Sequence, residues 1–151
     1  MTSETLVATE VMRSLANMVF GGLFLRFPKL RVISAENDAG WAGYFLEKMD
    51  YLFSRGEGRN LNRDFAIKGK GMLPSEYVRR NAGFTFIHDR SGVEVRHWIG
   101  VENLMWSSDY PHLASTWPQS SQVLDYVFEG VPEIEREMMT STNAELLYGF
   151  S

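Results

Sequence analysis

The spacing of apolar and polar residues predicts helices and strands that alternate along the chain. Apolar side chains recur at helical spacing over residues 5–27, and a short apolar run over 31–35 predicts a strand. A second helix is expected over 40–54, with Asn37 and Asp38 before it as capping or turn residues. The side chains of this helix that are expected to face the core are Trp41, Tyr44, Phe45, Met49 and Leu52.

The rest of the chain continues this alternation. Residues 55–71 are rich in glycine and basic side chains and predict a loop. Such a loop could attract a carboxylated substrate, although a plain solvated connection is the favoured interpretation. The elements expected after it are a helix over 74–81, a strand over 82–87, a helix over 91–99, a strand over 103–107, and helices over 122–129, 133–140 and 143–148, the last ending at Gly149. This order is typical of an α/β protein with parallel βα units.

Polar side chains follow each predicted strand, which is where α/β folds gather their ligands. Glu36 follows the first strand, and His88 and Asp89 follow the second. The third strand breaks into two serines and then Asp109. Asp109 is therefore a candidate for binding or catalysis, and the alternative is an aspartate that only closes a turn. For Glu36 the alternative is a salt-bridged carboxylate at a strand end.

Composition narrows the class of protein. The chain has 151 residues, 44% of them hydrophobic, which suits one globular unit over residues 1–151. It has no cysteine, so a disulfide framework and a thiol nucleophile are excluded. The net charge of -4 argues against nucleic acid as a partner. The sequence shows no secretory leader and no apolar run of the about 20 residues that span a bilayer, so we expect a soluble cytoplasmic protein without a membrane partner.

Ordered motifs run through nearly the whole chain. The most specific is Met105-Trp-Ser-Ser-Asp-Tyr-Pro-His112, followed by Thr116-Trp-Pro-x-Ser120 and by Asn143-Ala-x-x-Leu-Leu-Tyr-Gly149. Earlier motifs are Gly22-x-x-x-x-Phe-Pro28, Arg31-Val-Ile-Ser-Ala-Glu36, Gly40-Trp41, Glu47-x-Met-Asp50 and Ser75-Glu-Tyr-Val-Arg-Arg-Asn81. Together they resemble the C-terminal portion of amidohydrolase-related proteins. This group contains metal-dependent hydrolases and decarboxylases similar to aminocarboxymuconate semialdehyde decarboxylase.

The resemblance implies a fold and a metal. The three βα units resemble the sixth, seventh and eighth of a TIM (β/α)₈ barrel, which takes about 250 residues when whole, so the barrel is expected to be incomplete. The family binds a divalent metal, zinc above all, through a His-x-His pair, a further histidine and an aspartate. Of these ligands only the aspartate has a counterpart, Asp109, because His88, His97 and His112 are isolated. A catalytic zinc takes three protein ligands, so this chain alone is not expected to be a competent enzyme.

The resemblance also assigns roles to single residues. Asp109 would bind the metal and act as general acid and base. His112, Glu36, Trp41 and Trp117 would bind a small-molecule substrate. Relatives often carry an acidic residue at position 88, where this chain has histidine.

Several functions stay open on the sequence alone. The first is the C-terminal portion of a metal-dependent hydrolase, and the second is a decarboxylase, a carbon–carbon lyase of the same fold. The third is a non-catalytic packing or oligomerisation module. In each case we expect a homo-oligomer or a missing N-terminal half as partner.

Overall fold

The computed structural model describes residues 5–58 and 65–150 of the chain. The strands are β1 (Val32–Ser34), β2 (Ala82–Phe86) and β3 (Leu104–Trp106). The helices are α1 (Val7–Phe20), α2 (Leu23–Arg26), α3 (Gly40–Gly58), α4 (Pro74–Asn81), α5 (Arg90–Glu94), α6 (Arg96–Ile99), α7 (Ser120–Val127), α8 (Glu133–Glu137) and α9 (Asn143–Tyr148). A 3₁₀ turn at Val101–Asn103 precedes β3, and a π-helical turn at Met138–Thr142 joins α8 to α9.

The strands form one sheet in the order β1-β2-β3. Strands β2 and β3 are parallel, and Phe84 pairs with Leu104 while Phe86 pairs with Trp106. Because α5 and α6 lie between these strands in the chain, the segment is a parallel βα unit, as the sequence predicted.

The chain divides into two compact units, Met1–Val32 with Tyr44–Ala82, and Ile33–Gly43 with Gly83–Ser151. The first unit is mainly helical, and its core contains Leu15, Val19, Phe24, Leu46, Phe53, Tyr77 and Val78. The second unit contains nearly all of the sheet and the helices that follow β2.

The prediction of a single helix over residues 5–27 is wrong. The helix breaks at Gly21 and Gly22, and Gly22, with a φ of 75°, immediately precedes α2. A side chain is excluded here, since a Cβ on Gly22 would lie 2.6 Å from the Cβ of Ala66. Glycine allows both the left-handed backbone and the close approach.

Helix α3 differs from its prediction in length and in the face that it buries. It continues to Gly58, so the loop predicted from residue 55 begins later, and residues 59–64 of that prediction lie outside the described residues. Met49 is buried as predicted, but Tyr44 and Leu52 are 67% and 53% exposed. Leu46, Met49 and Phe53 form the buried stripe instead, and the helical period places Tyr44 and Leu52 on the other side.

Helix α4 follows its prediction, with Pro74 at its start, and the remaining elements shift by a few residues. The helix expected over 91–99 is divided at Val95 into α5 and α6. The helix expected over 133–140 instead runs on through the π-helical turn into α9, which ends at Gly149 in a left-handed conformation as predicted. Within residues 5–58 and 65–150, no helix has the length and apolar character needed to cross a membrane.

The core of the second unit forms around β2. Phe84 meets the edge of the Trp41 ring at 5.6 Å, and Phe86 lies 6.1 Å from the ring of Phe128. At the start of β3, the side-chain amide of Asn143 donates to the carbonyls of Val101 and Leu104, both at 2.8 Å. These contacts attach α9 to the strand that precedes Asp109.

Candidate functional site

The segments that follow the three strands lie along one edge of the sheet, which we call the carboxyl edge (residues 35–38, 87–89 and 107–112). The amide of Ser107 donates to the carbonyl of Phe86 at 2.8 Å, so β3 stays beside β2 beyond its last residue. The amide of Glu36 donates to Thr85 Oγ1 at 2.7 Å, and Asp38 Oδ1 accepts from the amide of Ile87 at 3.0 Å. From the first of these two contacts to the second, the residue number increases in both segments, as it does between neighbouring parallel strands.

Asp109 is the most constrained residue of the carboxyl edge. Its φ is 55°, a left-handed value that is rare for residues other than glycine. Its amide donates to Ser107 Oγ at 3.3 Å, and its carbonyl accepts from the amide of His112 at 2.8 Å. The amide of Thr116 closes the loop by donating to the carbonyl of Ser108 at 3.0 Å. These backbone hydrogen bonds stabilise the loop that carries the Asp109 side chain.

The carboxylate of Asp109 is only 8% exposed, yet Oδ1 has no hydrogen-bond partner among the described residues. A second buried oxygen in the same situation is Oγ of Ser34, the last residue of β1. Buried polar atoms are nearly always hydrogen-bonded, and an unpaired one calls for an explanation such as a bound ion or a catalytic role. Both orphaned oxygens belong to segments at the ends of strands.

Glu36 and Asp38 share the unusual backbone of Asp109, with φ values of 60° and 52°. Glu36 is exposed, and among the described residues its carboxylate makes no hydrogen bond or ion pair. Burial raises the pKa of the Asp38 carboxyl group, the hydrogen bond from Ile87 lowers it, and the nearby charges of Asp89 and His88 raise and lower it respectively.

The two tryptophans predicted to bind substrate, Trp41 and Trp117, have different surroundings. The indole nitrogen of Trp41 donates to the carbonyls of Asn37 and Asp38 at 2.9 and 3.0 Å, so this ring packs on the turn before α3. Trp117 is 64% exposed and meets the ring of Tyr110 edge-on at 6.1 Å. The structure therefore places Trp117 on the loop of Asp109, together with the exposed His112, whereas Trp41 and Glu36 belong to the segment after β1. The substrate-binding roles assigned to these four residues stay predictions.

The sequence did not reveal the role of Asp89. Its Oδ2 accepts from the amides of Ala39 and Gly40 at 2.6 and 2.7 Å, and its Oδ1 accepts from the amide of Gly92 at 2.8 Å and from the hydroxyl of Ser91 at 2.6 Å. One carboxylate thus satisfies amides at the starts of α3 and α5, a capping role that was expected of Asn37 and Asp38 for α3. An aspartate three residues before Gly92 is a helix-start signal, but only for α5.

A family model described as amidohydrolase matches residues 5–150. The chain belongs to the amidohydrolase family. No curated protein matches it.

Solved structures of other amidohydrolase-fold proteins are similar over nearly the whole chain. A 5-carboxyvanillate decarboxylase from Sphingomonas paucimobilis has a TM-score of 0.69 at 24% identity, over 95% of this chain and 40% of that one. An amidohydrolase from Mycobacterium avium subsp. paratuberculosis K-10 has a TM-score of 0.70 at 23% identity, over 91% of this chain and 33% of that one.

A dihydroxybenzoic acid decarboxylase from Polaromonas sp. JS666, with bound manganese and the inhibitor 2-nitroresorcinol, has a TM-score of 0.69 at 16% identity, over 93% of this chain and 40% of that one. The chain thus spans well under half the length of these proteins. Its fold is the C-terminal part of a TIM barrel, as the resemblance implied.

Members of the amidohydrolase family are metal-dependent, and the role of Asp109 as a metal ligand stays a prediction. Its buried, unpaired Oδ1 is the kind of oxygen that a cation would neutralise. However, across residues 5–58 and 65–150 no three His, Asp or Glu side chains form a group that could hold a metal ion. The described residues therefore contain no complete metal site.

Proposed function

We propose that this chain contributes the Asp109 loop to a metal-dependent enzyme that acts on a small carboxylated compound. The observation that carries the proposal is the buried, orphaned Oδ1 of Asp109, a residue that is 8% exposed and has a left-handed backbone after the carboxyl end of β3. A buried carboxylate oxygen without a donor costs free energy, about 1–3 kcal/mol or more, unless a ligand pairs with it. A divalent cation at the carboxyl edge would supply that partner.

Decarboxylation is the reaction that the relatives favour. Two of the three similar structures above are decarboxylases whose names specify aromatic carboxylic acids. Hydrolysis is the second candidate, favoured by the family description and by the neighbour that is described as an amidohydrolase. The proposed role of Asp109 as a metal ligand is the same for both reactions.

In either reaction the bound metal would act as a Lewis acid and lower the pKa of coordinated water toward about 7. Zinc and manganese are the candidates, and the remaining ligands would come from other parts of a complete barrel. Asp109 would hold the ion and accept or return a proton. His112 and Trp117, on the loop of Asp109, would contact the substrate, as would Glu36 and Trp41 on the segment after β1.

Manganese provides a direct test, because the paramagnetic ion broadens nuclear magnetic resonance signals close to where it binds. A single carboxylate holds the ion weakly, but paramagnetic broadening is measurable even when only a small fraction of the protein has the ion bound. We expect Mn²⁺ to broaden the amide signals of residues 107–112 in the wild-type chain. The variant Asp109→Asn keeps the shape of the side chain and should lose this broadening.

The matched control is Asp125→Asn, which changes a carboxylate that is 72% exposed and pairs with Arg136 at 3.1 Å. This variant should retain the broadening of residues 107–112. Equal broadening of that loop in wild type and Asp109→Asn would show that the ion binds elsewhere, and the proposal would fail.

A further inference from the structure

His88 occupies the middle of the carboxyl edge. It follows β2, the central strand, so the segment of Glu36 lies on one side and the segment of Asp109 lies on the other. The side chain of His88 is exposed. Neither of its ring nitrogens makes a hydrogen bond with any described residue. An imidazole with both nitrogens open, between two candidate site segments, is available to contact a ligand.

The ring of His88 is held in place without using its nitrogens. It stacks on Tyr126 with the ring centroids 5.4 Å apart and the planes 24° from parallel. Tyr126 is held in turn by Arg90, whose guanidinium carbon lies 5.2 Å from the centre of the tyrosine ring and whose Nη1 donates to the Tyr126 carbonyl at 3.3 Å. Stacking of this kind fixes the plane of a ring while its edge stays accessible.

The charged side chains that follow His88 in the chain, Asp89 and Arg90, are already engaged in contacts within the protein. Arg90 forms an ion pair with Glu129 at 2.7 Å and contacts Glu94 at 3.6 Å. The carboxylate of Asp89 accepts hydrogen bonds from backbone amides and from Ser91. Among the described residues of segment 87–89 and its neighbour Arg90, His88 is thus the polar side chain whose hydrogen-bonding groups are still open.

We propose that His88 donates a hydrogen bond to the carboxylate of the substrate, with Tyr126 as the positioning residue that orients the imidazole. This inference rests on the proposed function, because it assumes that a carboxylated aromatic compound binds at the carboxyl edge. It adds a substrate contact on the segment that lies between those of Glu36 and Asp109. An imidazole N–H can donate to a carboxylate, and a hydrogen bond to a charged acceptor is stronger than one between neutral groups.

Salicylate, an aromatic carboxylate, tests the proposal, and salicylamide is its uncharged control. Each compound is titrated into the full chain while the nuclear magnetic resonance signals of the His88 imidazole are followed. We expect salicylate to shift the His88 signals and salicylamide to shift them little. The variant His88→Gln should bind salicylate about tenfold more weakly, as expected for loss of one hydrogen bond to a charged group. Tyr126→Leu removes the stacking surface and should weaken salicylate binding in the same direction.

His97→Gln is the matched control, since His97 is exposed and its Nε2 lies 3.7 Å from Glu135 on another part of the unit. It should bind salicylate as the wild type does. Absence of any His88 shift with salicylate, or equal affinity of wild type and His88→Gln, overturns the inference. The Mn²⁺ broadening of residues 107–112 in His88→Gln separates the two proposals: if it persists, the metal-binding proposal stands whatever salicylate does.

Discussion

At the scale of single residues, the carboxyl edge stores backbone strain. Glu36, Asp38 and Asp109 all have φ between 52° and 60°. A left-handed backbone costs such residues roughly 1–3 kcal/mol each and persists only where the surrounding contacts enforce it. Here those contacts are the hydrogen bonds from Glu36 to Thr85, from Ile87 to Asp38, and from His112 to Asp109. Strain concentrated at strand ends is typical of binding and catalytic sites.

The ionisation of Asp38 should make stability depend on pH. Burial raises the pKa of Asp38 above its unfolded value, so between the two values the folded state binds more protons than the unfolded state. The contribution of the protonated Asp38 carboxyl group to the free energy of unfolding is therefore fully present below the ordinary carboxyl pKa of about 4. It is lost as pH rises through the raised pKa of the folded state. We expect Asp38→Asn to raise the melting temperature near neutral pH, by an amount worth less than about 1 kcal/mol because solvent screens the group.

The comparison is made by thermal unfolding of wild type and Asp38→Asn from neutral to acidic pH. Asparagine keeps an acceptor for the Ile87 amide and tolerates positive φ, so the advantage of the variant should shrink as pH falls toward the carboxyl range. Asp125→Asn, at an exposed position, provides the reference. A variant advantage that grows with acidity would contradict the assignment.

The candidate site was predictable in part from sequence at this scale. Asp109 stood out because a polar break after an apolar run, in a recognisable motif, marks the end of a strand. The capping role of Asp89 could not be found in this way. Its partners Ala39 and Gly40 are 50 and 49 residues away in the chain, so no local pattern records the contact.

At the scale of elements, local signals succeeded where they were strong. The helix predicted over residues 74–81, with proline at its start, has the correct bounds. The break between α1 and α2 was missed because the apolar period continues across Gly21 and Gly22. At the break Gly22 has a left-handed backbone and lies against Ala66, a contact between distant residues that no local pattern records.

The break at Gly22 leads to a prediction that compares two glycines with nearly the same φ, Gly22 and Gly130. Gly22→Ala, with a φ of 75° and a Cβ contact of 2.6 Å, should destabilise the chain by about 2–3 kcal/mol. Gly130→Ala has a φ of 78° and nothing within 4 Å of its Cβ, so it should cost only the backbone strain, about 1 kcal/mol. Urea unfolding of both variants measures the difference, and equal losses would mean that the contact with Ala66 relaxes freely.

At the scale of the whole molecule, the sheet order leaves β1 and β3 as the outer strands of the described sheet. Parallel strands at an open edge carry unpaired backbone groups, which natural proteins normally cover. The similar structures are more than twice as long as this chain, and a closed barrel has no such edges. The βα alternation was sufficient to predict the parallel sheet, but it could not predict what borders these strands.

We accordingly expect the isolated polypeptide to self-associate, or to pair with a polypeptide that supplies the remaining strands and metal ligands. Analytical ultracentrifugation over a wide range of concentration measures the association. Assays for carbon dioxide release from hydroxybenzoates and for hydrolysis of amides and esters measure turnover, which we expect to be absent from the isolated chain. A monomer that turns over either class, and loses that activity in Asp109→Asn, would contradict the expectation.

The link between Asn143 and β3 has a practical consequence for anyone who shortens the polypeptide. Deleting the last nine residues would remove the side-chain amide of Asn143, which donates to the carbonyls of Val101 and Leu104. Because Leu104 is fully buried, water could not take the place of this donor at its carbonyl. The strand that leads to Asp109 would lose its anchor at the opposite end. Damage to the loop of Asp109 would then come from a truncation that begins 34 positions downstream of this aspartate, at Asn143.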